Sequence, residues 1–378
     1  MKVALFCQEY PPRPHGGIGT FVKTIAEGLA KTDCEVKVVE FGVQGDRIEN
    51  GVHIITLPQS RVQKLAWLIN RYRLWRWVTT AGRRQEVDIF ELPEYQGWLP
   101  FPLLGSPVKI IVRLHLSATA IRHVSGAPLN VCDAICEYLT LSFHRRWIGV
   151  SQYIVNLTKT IFHLNPAMVS VVYNPTTISD SMMASLPALP PMRGQYVLFV
   201  GSMTERKGVL TLARAAKILL AKNSPVHFVF IGADRDHNGR PISQEVLRII
   251  GEENKDAVTF PGHLPHPEVL WWMRSALAVA LPSQLESFGL VPIEAMALGV
   301  PAIYTSVPPG PEIVQHGTDG ILVDPDDEEA LAEQILTLVN NPEHVSRLAN
   351  AGHRTVINKF SLKGCLIKTL KLYDQSLV

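Results

Sequence analysis

No stretch of this sequence stays apolar for anything near the 18 residues that a membrane-crossing helix needs, and the opening MKVALFCQEY holds too short an apolar run for a signal peptide. Those two absences make a cytoplasmic location the expectation. Cysteine is scarce and scattered: Cys7, Cys34, Cys132, Cys136 and Cys365 are odd in number and share no regular spacing, which fits a reducing compartment better than a disulfide framework. Cys132 and Cys136 stand four apart on a helical stretch, but no second Cys or His pair follows at ligand spacing, so no metal site is expected there. A surplus of one charge is missing too. Thirty-six Lys and Arg against 34 Asp and Glu leave a net charge of +2, far from the basic domain of a general nucleic-acid binder. The third glycine of a dinucleotide fingerprint is also absent. Gly17 and Gly19 are followed by Val22, and nine residues separate Cys7 from Gly17 where NAD or FAD binding needs a tight turn.

What is present is an ordinary globular composition, 47% hydrophobic and 19% charged, in a chain of 378 residues. That length exceeds one core and suits two domains. Short apolar runs alternate with amphipathic stretches. Strands are expected at Val3–Cys7, Glu35–Phe41, Asp88–Leu92, Lys109–His115, Trp147–Ser151 and Val169–Tyr173, with a helix over Thr20–Lys31. From 175 to 194 the chain is rich in Pro, Ser and Met with neither periodicity, and reads as a linker. Further strands are expected at Tyr196–Val200, Val226–Gly232, Val258–Pro261, Ala276–Leu281, Ala302–Thr305 and Gly320–Val323. The expectation is therefore α/β, with two Rossmann-like domains on parallel sheets, residues 1–174 and 195–361.

The most informative stretch is Pro282 to Pro301, PSQLESFGLVPIEAMALGVP. The run before it is apolar on both faces and stopped by Pro282, which suits a central parallel strand, so the loop after it lies at a strand's carboxyl end. The backbone N–H groups of Ser287, Phe288, Gly289 and Leu290 then fall at the start of a helix, where orphan donors and the positive dipole end attract an anion. Glu294, about one turn inside, can accept two hydrogen bonds from a diol. A phosphate on backbone and a sugar diol on a carboxylate describe a nucleotide site. Arg206 and Lys207, before another helix, add the cationic pair that a diphosphate needs. The loop Gly16-Gly17-Ile18-Gly19 also suits a phosphate or hydroxyl close to backbone, with Gly17 glycine because a Cβ would intrude or meet a positive φ.

Pro282, Glu286, Ser287, Phe288, Gly289, Leu290, Glu294, Ala295, Gly299 and Pro301 together closely resemble the signature of the family 4 retaining glycosyltransferases, also called glycosyl transferases group 1. The resemblance spans nearly the whole chain, strongest from 196 to 335 and weakest from 42 to 100. It implies the GT-B fold, two Rossmann-like domains facing each other across a cleft, with a last helix, 362–378, returning to the N-terminal domain. It implies that Gly16, Gly17 and Gly19 face the donor diphosphate and that His115 lies beside the bound sugar, although Leu116 stands where the family often has Asp. Ser202, after Gly201, replaces the family's usual Arg, while Lys207 keeps its place beside Arg206. Gly262, His263 and Leu264 fall where the nucleobase lies against backbone, and Gly310-Pro311-Glu312 resembles the family's Gly-x-Glu loop.

The groups expected to carry the chemistry are thus His115, Arg206, Lys207 and Glu286. Gly16, Gly17, Gly19, Gly201, Ser202, Gly262, His263, Leu264, Ser287, Phe288, Gly289, Leu290 and Glu294 are expected to bind the donor. No cofactor or metal is expected beyond a nucleotide-sugar substrate, UDP-glucose by family frequency, with a saccharide or lipid-linked saccharide as acceptor. Asp324, Asp326 and Asp327 precede the helical run Glu328–Asn340 and read as its N-cap. Two rivals stay open: a sugar-nucleotide epimerase or phosphorylase on the same fold, and a non-catalytic nucleotide-sugar-binding module. Arg61–Arg84 holds seven Lys or Arg, no acid, and Trp67, Trp75 and Trp77. A solvated helix face is the first reading there, peripheral contact with the inner face of a membrane the second, and nucleic acid a distant third.

Overall fold

The computed structural model describes every residue except 14, 15, 44, 63, 177, 179–181, 183–194, 238, 239 and 378. Its contacts divide the chain into two units, Met1–Pro175 with Leu362–Val378, and Thr176–Ser361. The linker expected over 175–194 lies for the most part outside the described residues.

The first unit is built on an eight-stranded sheet: β1 (Lys2–Phe6), β2 (Glu35–Gly42), β3 (Gly45–Glu49), β4 (Val52–Pro58), β5 (Ile89–Pro93), β6 (Lys109–Leu114), β7 (Arg146–Gly149) and β8 (Met168–Val171). Their order is β3-β4-β2-β1-β5-β6-β7-β8, all parallel except the antiparallel edge pair β3–β4. That hairpin was not anticipated. GDRIE in β3 has no alternation to mark it, and its one large apolar residue, Ile48, is 75% exposed. The central strands read as continuous Val, Ile and Leu because both faces are covered. On one face α1 (Gly17–Leu29) and the C-terminal helix Leu362–Leu377 pack Phe21, Ile25, Leu29, Cys365 and Tyr373 against Val3, Leu5, Val38 and Ile89. Each such side chain contributes about 1.5–3 kcal/mol on full burial. Four more helices complete the unit: α2 (Ala66–Arg83), α3 (Ala118–Ser125), α4 (Val131–Phe143) and α5 (Gln152–Phe162).

The second unit carries β9 (Tyr196–Val200), β10 (His227–Ile231), the small antiparallel pair β11 (Asp236–His237) and β12 (Arg240–Pro241), then β13 (Val258–Gly262), β14 (Ala278–Leu281), β15 (Ala302–Thr305) and β16 (Ile321–Val323). The main sheet runs β13-β10-β9-β14-β15-β16, wholly parallel. In both units the first strand has neighbours reached by connections of opposite sense: β1 lies between β2 and β5, and β9 between β10 and β14. Ligands of open α/β sheets bind at the carboxyl ends of the strands at this reversal. In the second unit the loops leaving that point are 201–208 and 282–289. In the first unit they begin at Cys7 and Glu94. Among the described residues no helix is long and apolar enough to cross a membrane, and all five cysteines are free.

Candidate active site

The two loops of the second unit are tied to each other by backbone. Gln284 N–H donates to Arg206 O at 2.9 Å, and Ser283 Oγ to Lys207 O at 3.4 Å. Gly208, at φ 79, sits so near Pro282 that a Cβ there would lie 2.0 Å from the Pro282 carbonyl oxygen, which is why the turn needs glycine. This closeness joins side chains 79 positions apart. Lys207 Nζ donates to Glu286 Oε1 at 2.6 Å, with the two side chains 24% and 11% exposed, and Arg206 Nη1 donates to Leu285 O at 3.3 Å. The sequence reading gave Lys207 to a diphosphate and Glu286 to a sugar separately; the structure pairs them directly.

Behind Glu286 the chain turns into the helix Leu290–Ala297, whose N-cap is Gly289 at φ 96. Phe288 contributes backbone here, since its ring is buried against Phe360 and its carbonyl accepts from Tyr304 Oη at 3.1 Å. Glu294, inside the helix, holds a partner that spacing did not reveal: His266 Nε2 lies 2.9 Å from its Oε1. That bond raises the His266 pKa. His266 opens the helix His266–Arg274, whose N-cap Pro265 follows Gly262, exposed His263 and half-buried Leu264. Gly201, at φ 144, and the exposed Ser202 open the 201–208 loop. Among the described residues no group of three or more His, Cys, Asp or Glu is arranged to hold a metal ion. Asp327 caps the helix Glu328–Asn340 by accepting from Ala330 N–H at 2.8 Å, Asp324 accepts from Asp326 N–H at 2.9 Å, and Asp326 accepts from Gln284 Nε2 at 3.0 Å.

In the first unit the glycine-rich stretch differs from expectation. The helix begins at Gly17, so Gly17 and Gly19 lie in its first turn rather than in a loop, with Gly16 as N-cap. Gly17 has no positive φ, and a Cβ on it meets no protein atom within 4 Å. The helix start already has a carboxylate: Gly19 N–H donates to Glu9 Oε1 at 3.2 Å. The dipole that was expected to wait for a phosphate is in this structure answered by Glu9.

His115 follows β6, as placed by sequence, but the residue is only 6% exposed and its ring packs edge-on against Phe21 with centroids 5.0 Å apart. Burial, then the nearby Arg113 guanidinium, lowers its pKa to about 3, so the imidazole is neutral at any working pH. Its floor is a buried network. Arg113 makes a two-pronged pair with Glu91 at 3.0 and 2.8 Å, and Tyr373 Oη, from the C-terminal helix, donates to Glu91 Oε2 at 2.8 Å. A cavity of about 10 Å³, room for about one water, is lined by Glu91, Arg113, His115 and Phe21.

The basic, tryptophan-rich stretch is not simply a solvated face. Arg71 of α2 is 2% exposed and donates to Gly97 O at 2.9 Å, Trp67 O at 3.0 Å and Asp133 Oδ1 at 2.9 Å. Trp75 Nε1 donates to Pro102 O at 3.0 Å, and Trp77 packs on Phe90. Val62, Leu65, Trp67, Leu68 and Tyr72 stay exposed at and before the first turns of α2, among exposed Arg61, Lys64 and Arg76.

The profile described as Glycosyl transferases group 1 matches residues 187–355, and that of Glycosyltransferase Family 4 matches 15–179. An uncharacterized glycosyltransferase of Methanocaldococcus jannaschii is 28% identical over 99% of this chain and 98% of its own. Among solved structures, the sucrose-phosphate synthase of Thermosynechococcus elongatus superposes with a TM-score of 0.79 at 22% identity, covering 99% of this chain and 98% of that one. Anabaena HepE in complex with UDP-glucose does so with 0.73 at 19% identity, over 99% and 100%. Two parallel-sheet units, the signature at 282–301 and these matches along nearly all of the chain lead to one assignment: the chain belongs to the glycosyl transferases of group 1 and family 4, and is a glycosyltransferase of GT-B fold.

Proposed function

We propose that the protein moves a hexose from a nucleotide-diphosphate sugar, UDP-glucose first among the donors, to a saccharide or lipid-linked saccharide, with retention at the anomeric carbon and without a divalent ion. The observation that carries this reading is the Lys207–Glu286 pair at the strand-order reversal of the second unit, with Arg206 adjoining and Glu294 in the helix behind. UDP-glucose as donor draws on the HepE complex. In this reading Glu294 holds the ribose, the backbone of 262–264 the nucleobase, Glu286 the sugar hydroxyls, and His115 offers the sugar a neutral N–H donor. Lys207 has three N–H donors, of which Glu286 uses one. As the bond from the anomeric carbon to the phosphate oxygen breaks, Lys207, Arg206 and the helix start at Ser287–Leu290 stabilise the growing charge. The acceptor oxygen attacks the same face, and the departing phosphate oxygen takes its proton.

The test is incubation with UDP-glucose without acceptor, in excess chelator. Slow release of glucose and UDP is expected, within about twofold of the rate without chelator. No release in either condition would remove the enzyme from this donor. Loss on chelation restored by magnesium or manganese would remove the metal-free part of the reading.

Two further expectations follow from the same site. His266 holds one oxygen of Glu294, and in this reading the ribose diol displaces it. Hydrogen bonding raises the His266 pKa, so the pair is fully formed below the unperturbed value and is lost as pH rises through the raised one. Affinity for UDP-glucose, whose phosphates do not titrate here, should therefore weaken as pH falls from 8 to 6, by up to about tenfold per unit below the raised pKa. His266→Ala should bind equally at both pH values in calorimetry; a pH dependence that survives the substitution would refute the role. Separately, the exposed Val62, Leu65, Trp67, Leu68 and Tyr72 among cations, in a stretch without acid, fit an anionic lipid surface. The protein should float with vesicles containing phosphatidylglycerol and stay below with the double variant Trp67→Ser, Tyr72→Ser. Equal recovery of both, or no flotation of wild type, would exclude lipid contact here.

A further inference from the structure

The first unit's own strand-order reversal holds a group that the reaction as written does not use. Glu94 directly follows β5, the strand on the far side of β1 from β2, and is fully buried. Its carboxylate accepts three backbone hydrogen bonds: both oxygens from His115 N–H, at 2.7 and 2.8 Å, and Oε1 from Leu116 N–H at 2.6 Å. Its backbone is fixed in turn, N–H to Arg113 O at 3.1 Å and C=O from Gly97 N–H at 2.9 Å. The turn it grips is strained, for Leu116 has φ 136, a region that residues bearing a Cβ rarely enter and hold only when surroundings over-determine it. The next residues are gripped likewise: buried Glu137 accepts from Ala118 N–H at 2.7 Å, Thr119 N–H at 3.0 Å and Gln96 N–H at 2.9 Å.

We propose that Glu94 is a positioning residue for glycosyl transfer, its buried carboxylate fixing the strained His115–Leu116 backbone and thereby the His115 ring. This rests on the reading that gives His115 a part in the reaction. A carboxylate is suited to the task because it accepts only, and the groups that bond it are N–H donors. Protonation turns one acceptor oxygen into an O–H facing those donors, which weakens the grip. Burial pushes the Glu94 pKa up to about 7, opposed by backbone hydrogen bonds from His115, Leu116 and Glu94 and aided by Glu137. Charged groups on the surrounding elements are engaged elsewhere: Arg113 with Glu91, Asp133 with Arg71, Glu9 with Gly19, and Glu137 with the amides above. As pH falls through about 7, the grip on the turn loosens. His115, neutral throughout, cannot be the source of that change.

The measurement is kcat at saturating donor between pH 5.5 and 8.5 for wild type, Glu94→Gln, Glu94→Asp and His115→Ala. Saturation removes the His266 effect, which acts on donor affinity. Wild type should show an acid limb with a midpoint near 7. Glu94→Gln should turn over about ten- to a hundredfold more slowly with no limb, as displacement of a catalytic group by a fraction of an ångström to 1 Å produces. Glu94→Asp should also be slow but keep a limb, because it keeps the acid. A wild-type rate or an unchanged limb in Glu94→Gln overturns the inference. If His115→Ala turns over normally, the reading of His115 is wrong; if it is slow while Glu94→Gln is normal, only the positioning role is wrong. Should Glu94→Gln not fold, wild type decides alone. The amide resonances of His115 and Leu116 must titrate together near pH 7, and flat shifts overturn the proposal.

Discussion

Lys207→Ala is expected to lower kcat at saturating donor by about 10²-fold or more, the effect of removing one preorganised donor to a developing oxyanion, about 2.7–4 kcal/mol. Two losses add in this variant. On the proposed reading the diphosphate loses its ammonium, and Glu286, 11% exposed, loses the partner at 2.6 Å that fixes its carboxylate. Glu286 is itself buried, so leaving its carboxylate without the ammonium should also cost the fold about 1–3 kcal/mol. A rate effect larger than the stability effect is therefore the signature. Arg206→Ala should fall in the same direction by less, since its guanidinium already gives a hydrogen bond to Leu285 O. Steady-state kinetics beside urea unfolding separates the cases: an unchanged kcat in Lys207→Ala takes the residue out of the site.

Gly289→Ala should damage both fold and binding. The residue holds φ 96, and a Cβ built there would sit 2.3 Å from Tyr304 Oη. That hydroxyl donates to Phe288 O, so it cannot move away without breaking a buried hydrogen bond. Left-handed strain and the lost bond together predict about 2–3 kcal/mol of destabilisation. The shifted helix start should also abolish measurable UDP-glucose binding. Gly17→Ala is the internal control, because it lies within α1 with no positive φ and no protein atom in reach of a Cβ. Alanine there should stabilise the helix by about 0.5–1 kcal/mol. Urea unfolding and calorimetry check both, and a Gly289→Ala protein as stable as wild type that binds UDP-glucose would contradict the account of this turn.

Strands were legible to within a residue or two wherever a short apolar run met a sharp stop, as at Tyr196–Val200 and Ala302–Thr305, because burial on both faces leaves no other composition. Polar edge strands such as Gly45–Glu49 carry no such mark, since they bury almost nothing. The signature loop was legible because its residues are contiguous. Its partners were not: Lys207 meets Glu286 across 79 positions and His266 meets Glu294 across 28, and spacing says nothing about pairs made by neighbouring strand ends. The start of α1 was misplaced because glycines normally argue against helix, whereas here Glu9, ten residues before Gly19, supplies the N-terminal acceptor. Glu94 offered one signal that went unread, an acid placed directly after a buried strand at the sheet's carboxyl edge.

Hydrogen exchange of the protein alone and with saturating UDP-glucose tests the central claim, that the loops after β9 and β14 hold the donor. The account predicts slowed exchange at the amides of 201–208, 262–264 and 287–290, and loss of that slowing in Glu294→Ala at the same ligand concentration. Protection confined to other parts of the second unit, with these amides unchanged, would contradict it.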